Sequence, residues 1–175
     1  MGLVSIFGLG MLTLLPAWAT DVLHGDVTTK GWLVSARGFG SMVSALMLAY
    51  LSSRRYRGRL WTVGAFVMPV ALFFFAWLRW LPLSLLAMVG VGWGFMMISN
   101  NSNAMIQSQV PDELRGRVMG VYTLVFFGSM PIGSLLAGAL APQISEPLTV
   151  MLGASLLMVL AVATWIFLPA IRRQE

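Results

Sequence analysis

The sequence predicts an all-α membrane protein of six transmembrane helices. Three observations carry that reading. Hydrophobic residues make up 58% of the chain and charged residues only 10%, and the mean hydropathy is +0.85; long uncharged apolar runs of this kind mark membrane spans. The charges are concentrated in short gaps between those runs. The runs themselves are too long for barrel strands and show no period-2 alternation.

A bilayer core needs about 20 apolar residues of helix, and six stretches supply them: roughly 2–20, 31–52, 60–78, 83–106, 118–141 and 148–171. The first ends in "LLPAWAT", similar to a signal-peptide end at Ala17-Trp18-Ala19. No basic region precedes it and five more spans follow, so it is read as a membrane helix. "MGLVSI" lacks the Ser or Thr that myristoylation needs, having Ile6. The second span holds the only charge inside any of the six, Arg37, and a row of small residues, Ala36, Gly40 and Ser44. The third contains Pro69, one of three intramembrane prolines with Pro16 and Pro131 that free backbone groups and favour kinks.

In the fourth span Gly90, Gly92 and Gly94 read as close packing or a bend. A phosphate loop would need a strand-to-helix turn. The same span ends in "SNNSNAMIQSQ", residues 99–109, where Asn100, Asn103 and Gln107 share one helical face and Asn101 lies off it. The fifth repeats small residues every four positions, Ser129, Gly133, Ala137 and Ala141, beside a second row of Ser134 and Gly138, as helices packing in lipid do. The sixth span follows "APQISEPL". Short gaps throughout predict one six-helix transmembrane domain over residues 1–175.

Lysine and arginine set the orientation. With six spans both termini share a side with the second and fourth gaps. That side holds Arg54, Arg55, Arg57, Arg59, Arg115, Arg117, Arg172 and Arg173, against Lys30 and Arg79 opposite. Both termini are therefore expected in the cytoplasm, with Trp32, Trp61, Trp77 and Trp80 near the interfaces. The net charge of +5 forms no single basic face, so no nucleic-acid partner is expected. There is no cysteine and a single histidine, His24. Neither a metal site, nor a cofactor, nor a catalytic constellation is expected, and an enzyme is not.

Polar residues at membrane depth are costly and therefore informative. Arg37, about two turns from the outer end of its span, either snorkels outward or faces an aqueous cavity and meets an anion. The face of Asn100, Asn103 and Gln107 either lines a water-filled path or bonds to neighbouring helices. No acid lies within any span. The densest charge is in "SQVPDELRGRVMGVY", residues 108–122. Pro111 can start a helix there, Asp112 and Glu113 suit its first turn, and the spacing allows Asp112–Arg115 and Glu113–Arg117 pairs. Gly116 permits close approach or a bend.

With "FFGSMPIGSLLAGALA" after it, "QVPDELRGRVMGVY" resembles the loop between helices ten and eleven, with helix eleven, of the major facilitator superfamily. It is most similar to the branch of macrolide-efflux proteins and the enterobactin exporter. "LLPAWATDVL…GWLVSARGFGSMVSALMLA" resembles helices seven and eight. "SSRRYRGR" is similar to the superfamily's basic turn, with Gly58 and Arg59 matching its end, while an arginine or serine stands where an acid is expected. The resemblance covers essentially the whole chain. It implies the carboxyl-terminal six-helix half of a twelve-helix carrier, built as 3+3 inverted repeats, in the bacterial cytoplasmic membrane.

On that resemblance the function implied is efflux of a small amphipathic drug, siderophore or metabolite by alternating access, driven by a proton gradient or by exchange. The partners would be the lipid bilayer, the amino-terminal half and the solute. Arg37, Asn100, Asn103 and Gln107 are candidate cavity residues. Asp112, Glu113, Arg115, Gly116 and Arg117 form a candidate cytoplasmic gate, and Arg54, Arg55, Arg57, Gly58 and Arg59 the basic cytoplasmic turn. The alternatives are a truncated membrane protein or scaffold that does not transport, and a six-helix half-carrier that self-associates.

Overall fold

A computed structural model describes residues 1–50 and 57–167, Arg57 by its backbone alone. Six helices are long and apolar enough to cross a membrane: α1 (Gly2–Val22), α2 (Val27–Tyr50), α3 (Arg57–Trp77), α4 (Leu81–Gln109), α5 (Asp112–Ile144) and α6 (Glu146–Phe167). Several run past the apolar stretches of the sequence. α5 begins at Asp112, one and a half turns before the apolar run, because Asp112 and Glu113 stabilise its positive end and the polar residues that follow carry the helix onward.

The breaks have local causes. Asp26 caps α2: its Oδ1 accepts from the Thr28 and Thr29 backbone N–H groups at 3.0 and 3.1 Å, and the Thr29 hydroxyl accepts from the Asp26 N–H at 3.2 Å. This is a reciprocal cap. The Thr28 hydroxyl above all, with the Thr29 backbone N–H, holds the Asp26 carboxyl below its ordinary pKa. α4 stops at Gln109 because Val110 is extended, as a residue before proline must be. α5 and α6 are separated by Ser145, which takes φ 99°.

α1 is irregular. It passes from a π-type stretch (Ser5–Leu9) through 3₁₀ turns (Gly10–Leu14) and one α turn (Leu15–Ala17) to a second π stretch (Trp18–Val22). Pro16 has no N–H to give to Leu12, and side-chain hydroxyls cover backbone oxygens nearby. Thr13 Oγ1 donates to the Gly10 carbonyl at 2.7 Å, and Thr20 Oγ1 to the Ala17 carbonyl at 3.2 Å. In lipid such substitutes are what make a broken ladder tolerable.

Packing pairs each half of the chain with the other. α2 lies against α4, α5 against α1, and α3 against α6, the exchange expected of two three-helix repeats. Glycines set two of these inter-repeat crossings. At Gly40 of α2 and Gly92 of α4 an added methyl group would overlap the Val89 and Arg37 carbonyls respectively. At the matching crossing, a methyl on Gly133 of α5 would overlap the Ile6 carbonyl, and one on Gly10 of α1 would come within 2.5 Å of the Gly133 backbone. The run Gly90, Gly92, Gly94 is thereby explained as packing on two sides: Gly92 meets α2, while Gly90 and Gly94 meet Ala71 and Met68 of α3. The core gathers Trp18 of α1, Met68, Leu72 and Phe75 of α3, Met88 and Val91 of α4, and Leu157 of α6 into one cluster.

Small residues do not all pack. Gly133, Ala137 and Ala141 are buried in the α5 seam and Ser129 is half-buried, but Gly138 opens onto empty space. In α2, Gly40 and Ser44 are buried and Ala36 is half-buried.

Candidate functional site

The middle helices of the two repeats are the least covered. Only 17% of the most apolar window of α2 and 22% of that of α5 is buried inside the bundle. Their uncovered surfaces include glycines with nothing within 4 Å: Gly31 and Gly38 on α2, and Gly116, Gly120, Gly128 and Gly138 on α5. A helix facing lipid has no use for so many missing side chains, whereas a helix packing closely against another does.

Arg37 stands at the waist of α2. Its carbonyl is pressed on Gly92, its side chain is half-buried, and it makes no ion pair or hydrogen bond among the described residues. Beside it Ser41 Oγ donates to the Gly92 carbonyl at 3.1 Å. The described acids, Asp21, Asp26, Asp112, Glu113 and Glu146, all sit at or beyond helix ends. The guanidinium is thus an unneutralised charge on an apolar helix.

The polar end of α4 divides as its helical spacing requires. Gln107 Nε2 donates to Asn103 Oδ1, one turn away on the same face. Asn100 is half-buried and its side chain makes no hydrogen bond among the described residues. Asn101, off that face, is buried and donates back to the Met97 carbonyl at 2.8 Å. Arg37 and the asparagines are not in contact. Arg37 meets α4 at Gly92, eight residues or about 12 Å along the helix before Asn100.

An aromatic series closes the space between α4 and α5. Phe95 and Phe126 stack at 6.0 Å, and Tyr122 continues the stack at 6.3 Å from Phe126. The Tyr122 hydroxyl is buried without a hydrogen bond of standard geometry, although the Ser99 hydroxyl is near enough to engage it. Sequence reading missed this group, because a tyrosine among apolar residues carries no distinguishing spacing. Trp18 was missed for the same reason. It is fully buried, stacked on Phe75 at 4.5 Å, and lies under the Arg79 guanidinium at 6.0 Å.

At the charged joint Asp112 and Arg115 pair at 2.5 Å. Glu113 and Arg117 form no pair among the described residues and both are exposed; the Glu113–Arg117 pair allowed by spacing is not made. Gly116 lies within the unbroken α5 and meets no other backbone. Of the basic turn, Arg54 and Arg55 lie outside the described residues, as does the Arg57 side chain. Gly58 is buried and Arg59 exposed. Among the described residues no cluster of His, Asp or Glu could hold a metal ion.

A family model described as "Transmembrane secretion effector" matches residues 3–175. The chain is 33% identical over 162 residues to the multidrug efflux pump Tap of Mycolicibacterium fortuitum, covering 93% of this chain and 39% of that protein. The Tap pumps of Mycobacterium tuberculosis (strain ATCC 25618 / H37Rv) and Mycobacterium bovis (strain BCG / Pasteur 1173P2) are 33% identical over 127 residues, 73% of this chain and 30% of each relative. The chain therefore spans less than half the length of these relatives. No solved structure matches it.

Proposed function

The chain belongs to the transmembrane secretion effector family of the major facilitator superfamily, and on that premise we propose that it forms one six-helix domain acting as the carboxyl-terminal half of a twelve-helix efflux carrier. The carrier moves a small amphipathic solute across the bacterial cytoplasmic membrane by alternating access. Both termini face the cytoplasm, as the arginine distribution favours.

The observation that carries this reading is the uncovered pair α2 and α5. They are the corresponding helices of the two repeats, and their open glycines suit the approach of further helices. An amino-terminal half seated there would enclose Arg37, Asn100, Asn103 and Gln107 in a shared cavity. It would also cover the α5 start, Asp112 to Arg117, and the basic turn as a gate. The similarity to multidrug efflux pumps supports efflux as the direction of transport.

The test is to express the chain in cells deprived of their own drug pumps, alone and together with a matching amino-terminal half, and to follow a fluorescent drug. Lowered accumulation only when both halves are present is expected. Equal efflux by the chain alone would replace this reading with a self-associating half-carrier, and no efflux from either arrangement would favour a scaffold.

A further inference from the structure

We propose that the bundle carries, apart from the solute cavity, a site for a segment of one acyl chain of an anionic phospholipid. The site is a cavity of about 130 Å³ between α1, α3, α4 and α6. It lies away from the uncovered faces of α2 and α5, neither of which contributes to its walls. Val4, Ala65, Met68, Ile98, Leu157 and Ala161 make half of the lining. Two polar side chains adjoin it and both are already satisfied. Trp61 Nε1 donates to Ser102 Oγ at 2.8 Å, and Thr164 Oγ1 donates to the Leu160 and Ala161 carbonyls, each at 2.9 Å. Met1 also contributes to the wall, and no lining side chain is left to recognise a polar solute. An apolar cavity of roughly this size stays dry and accepts hydrocarbon.

Depth and charge identify the source of that hydrocarbon. The half-buried Trp61 lies one turn into α3, where an indole suits the membrane interface, and Met68 lies about 10 Å deeper. The cavity thus spans the inner-leaflet half of the hydrocarbon layer in the orientation proposed above, on which this inference rests. Six arginines, Arg54, Arg55, Arg57, Arg59, Arg172 and Arg173, fall in the sequence just before or within the start of α3 or just after α6. Arg59, exposed in the first turn of α3, stands at the end of one of the walls. Basic clusters at such ends attract anionic headgroups.

The full chain placed in nanodiscs of phosphatidylcholine, with a minor fraction of phosphatidylglycerol carrying a photoreactive group in mid-chain, tests the proposal by mapping the cross-links. Label concentrated on the peptides of Val4, Met68 and Leu157 is expected. It should be lost when Ala65→Leu or Ala161→Met fills the space, while label on the lipid-facing Phe73 and Phe74 stays. Arg59→Gln, an exposed change that spares the fold, should reduce labelling by phosphatidylglycerol but not by a phosphatidylcholine probe. Label spread evenly over the outer faces, and indifferent to the filling variants, would show only surrounding lipid and overturn the site. Nanodiscs expose both faces and transport plays no part in the readout, so an error in orientation or in carrier function would leave this result unchanged.

Discussion

The main-chain carbonyl of Arg37 rests against Gly92, so closely that a methyl group on Gly92 would overlap it. The missing side chain of Gly92 therefore makes room, at the crossing of α2 and α4, for the main chain of the residue that carries the charge. The same device, Gly133 under the Ile6 carbonyl, joins α5 to α1.

Gly92→Ala is accordingly expected to force these helices apart. Overpacking of a tight seam costs about 1–3 kcal/mol, which should appear as a lower thermal midpoint in detergent followed by tryptophan fluorescence. Gly138→Ala is the control, since nothing lies within 4 Å of its added methyl group and alanine favours a helix by up to about 1 kcal/mol. A midpoint unmoved by Gly92→Ala would show that the crossing is looser than the contacts imply.

Much of this was legible in the sequence, and the reason is the solvent. Lipid requires every spanning segment to be a long apolar helix, so the number and type of elements follow from hydropathy alone. The seams followed from four-residue spacing: Gly133, Ala137 and Ala141 are buried together. Spacing could not tell which of two parallel rows packs, and Gly138 of the second row is open. The irregular course of α1 was signalled only by Pro16, because the π and 3₁₀ turns depend on how Thr13, Thr20 and the neighbouring helices absorb the freed carbonyls. Arg37 was visible as a lone charge, but the crossing beneath it depends on tertiary contacts that no local pattern encodes.

Acid should loosen the start of α2. The hydrogen bonds of Asp26 hold its carboxyl below the ordinary value, so the cap contributes fully above the unfolded carboxylate pKa of about 3.9. That contribution is lost as pH falls through the lower, folded value. Amide exchange at Thr28 and Thr29, corrected for its intrinsic pH dependence, should therefore lose protection below that range. Asp26→Asn, which keeps an acceptor without a titrating group, should remove the dependence. Unchanged protection in the parent at low pH would mean that packing of Thr29, not the cap, holds the turn.

The charged joint leads to a prediction that separates folding from gating. Asp112 and Arg115 form an exposed pair, and such pairs contribute about 0–1 kcal/mol; Asp112→Asn should scarcely move the thermal midpoint. Glu113 and Arg117 make no pair that their loss could break. Glu113→Gln with Arg117→Gln should leave stability alone and yet, in the assembled carrier, shift the balance of inward- and outward-open states. Cysteine accessibility at both faces reads that balance, and a pattern identical to the parent would remove the gate role.

Arg37 separates two accounts of a charge in an apolar helix. At the bilayer centre an arginine costs about 2.5–3.5 kcal/mol on insertion scales, so an arginine that merely snorkels should be replaceable with a gain in stability and no loss of transport. An arginine facing an aqueous cavity has a different signature. In the assembled carrier Arg37→Ala should insert normally but change solute affinity, most for solutes bearing an anionic group. Arg37→Lys should restore part of the affinity, because the charge returns without the planar fork that binds a carboxylate through two bonds. The motive for the second account is placement: Arg37 borders the α4 seam beside Ser41, while the exposed Trp32, Phe39 and Leu46 lie on other faces of α2 by their spacing. Equal uptake kinetics for the parent and Arg37→Ala, across solutes of either charge, would restore snorkelling as the explanation.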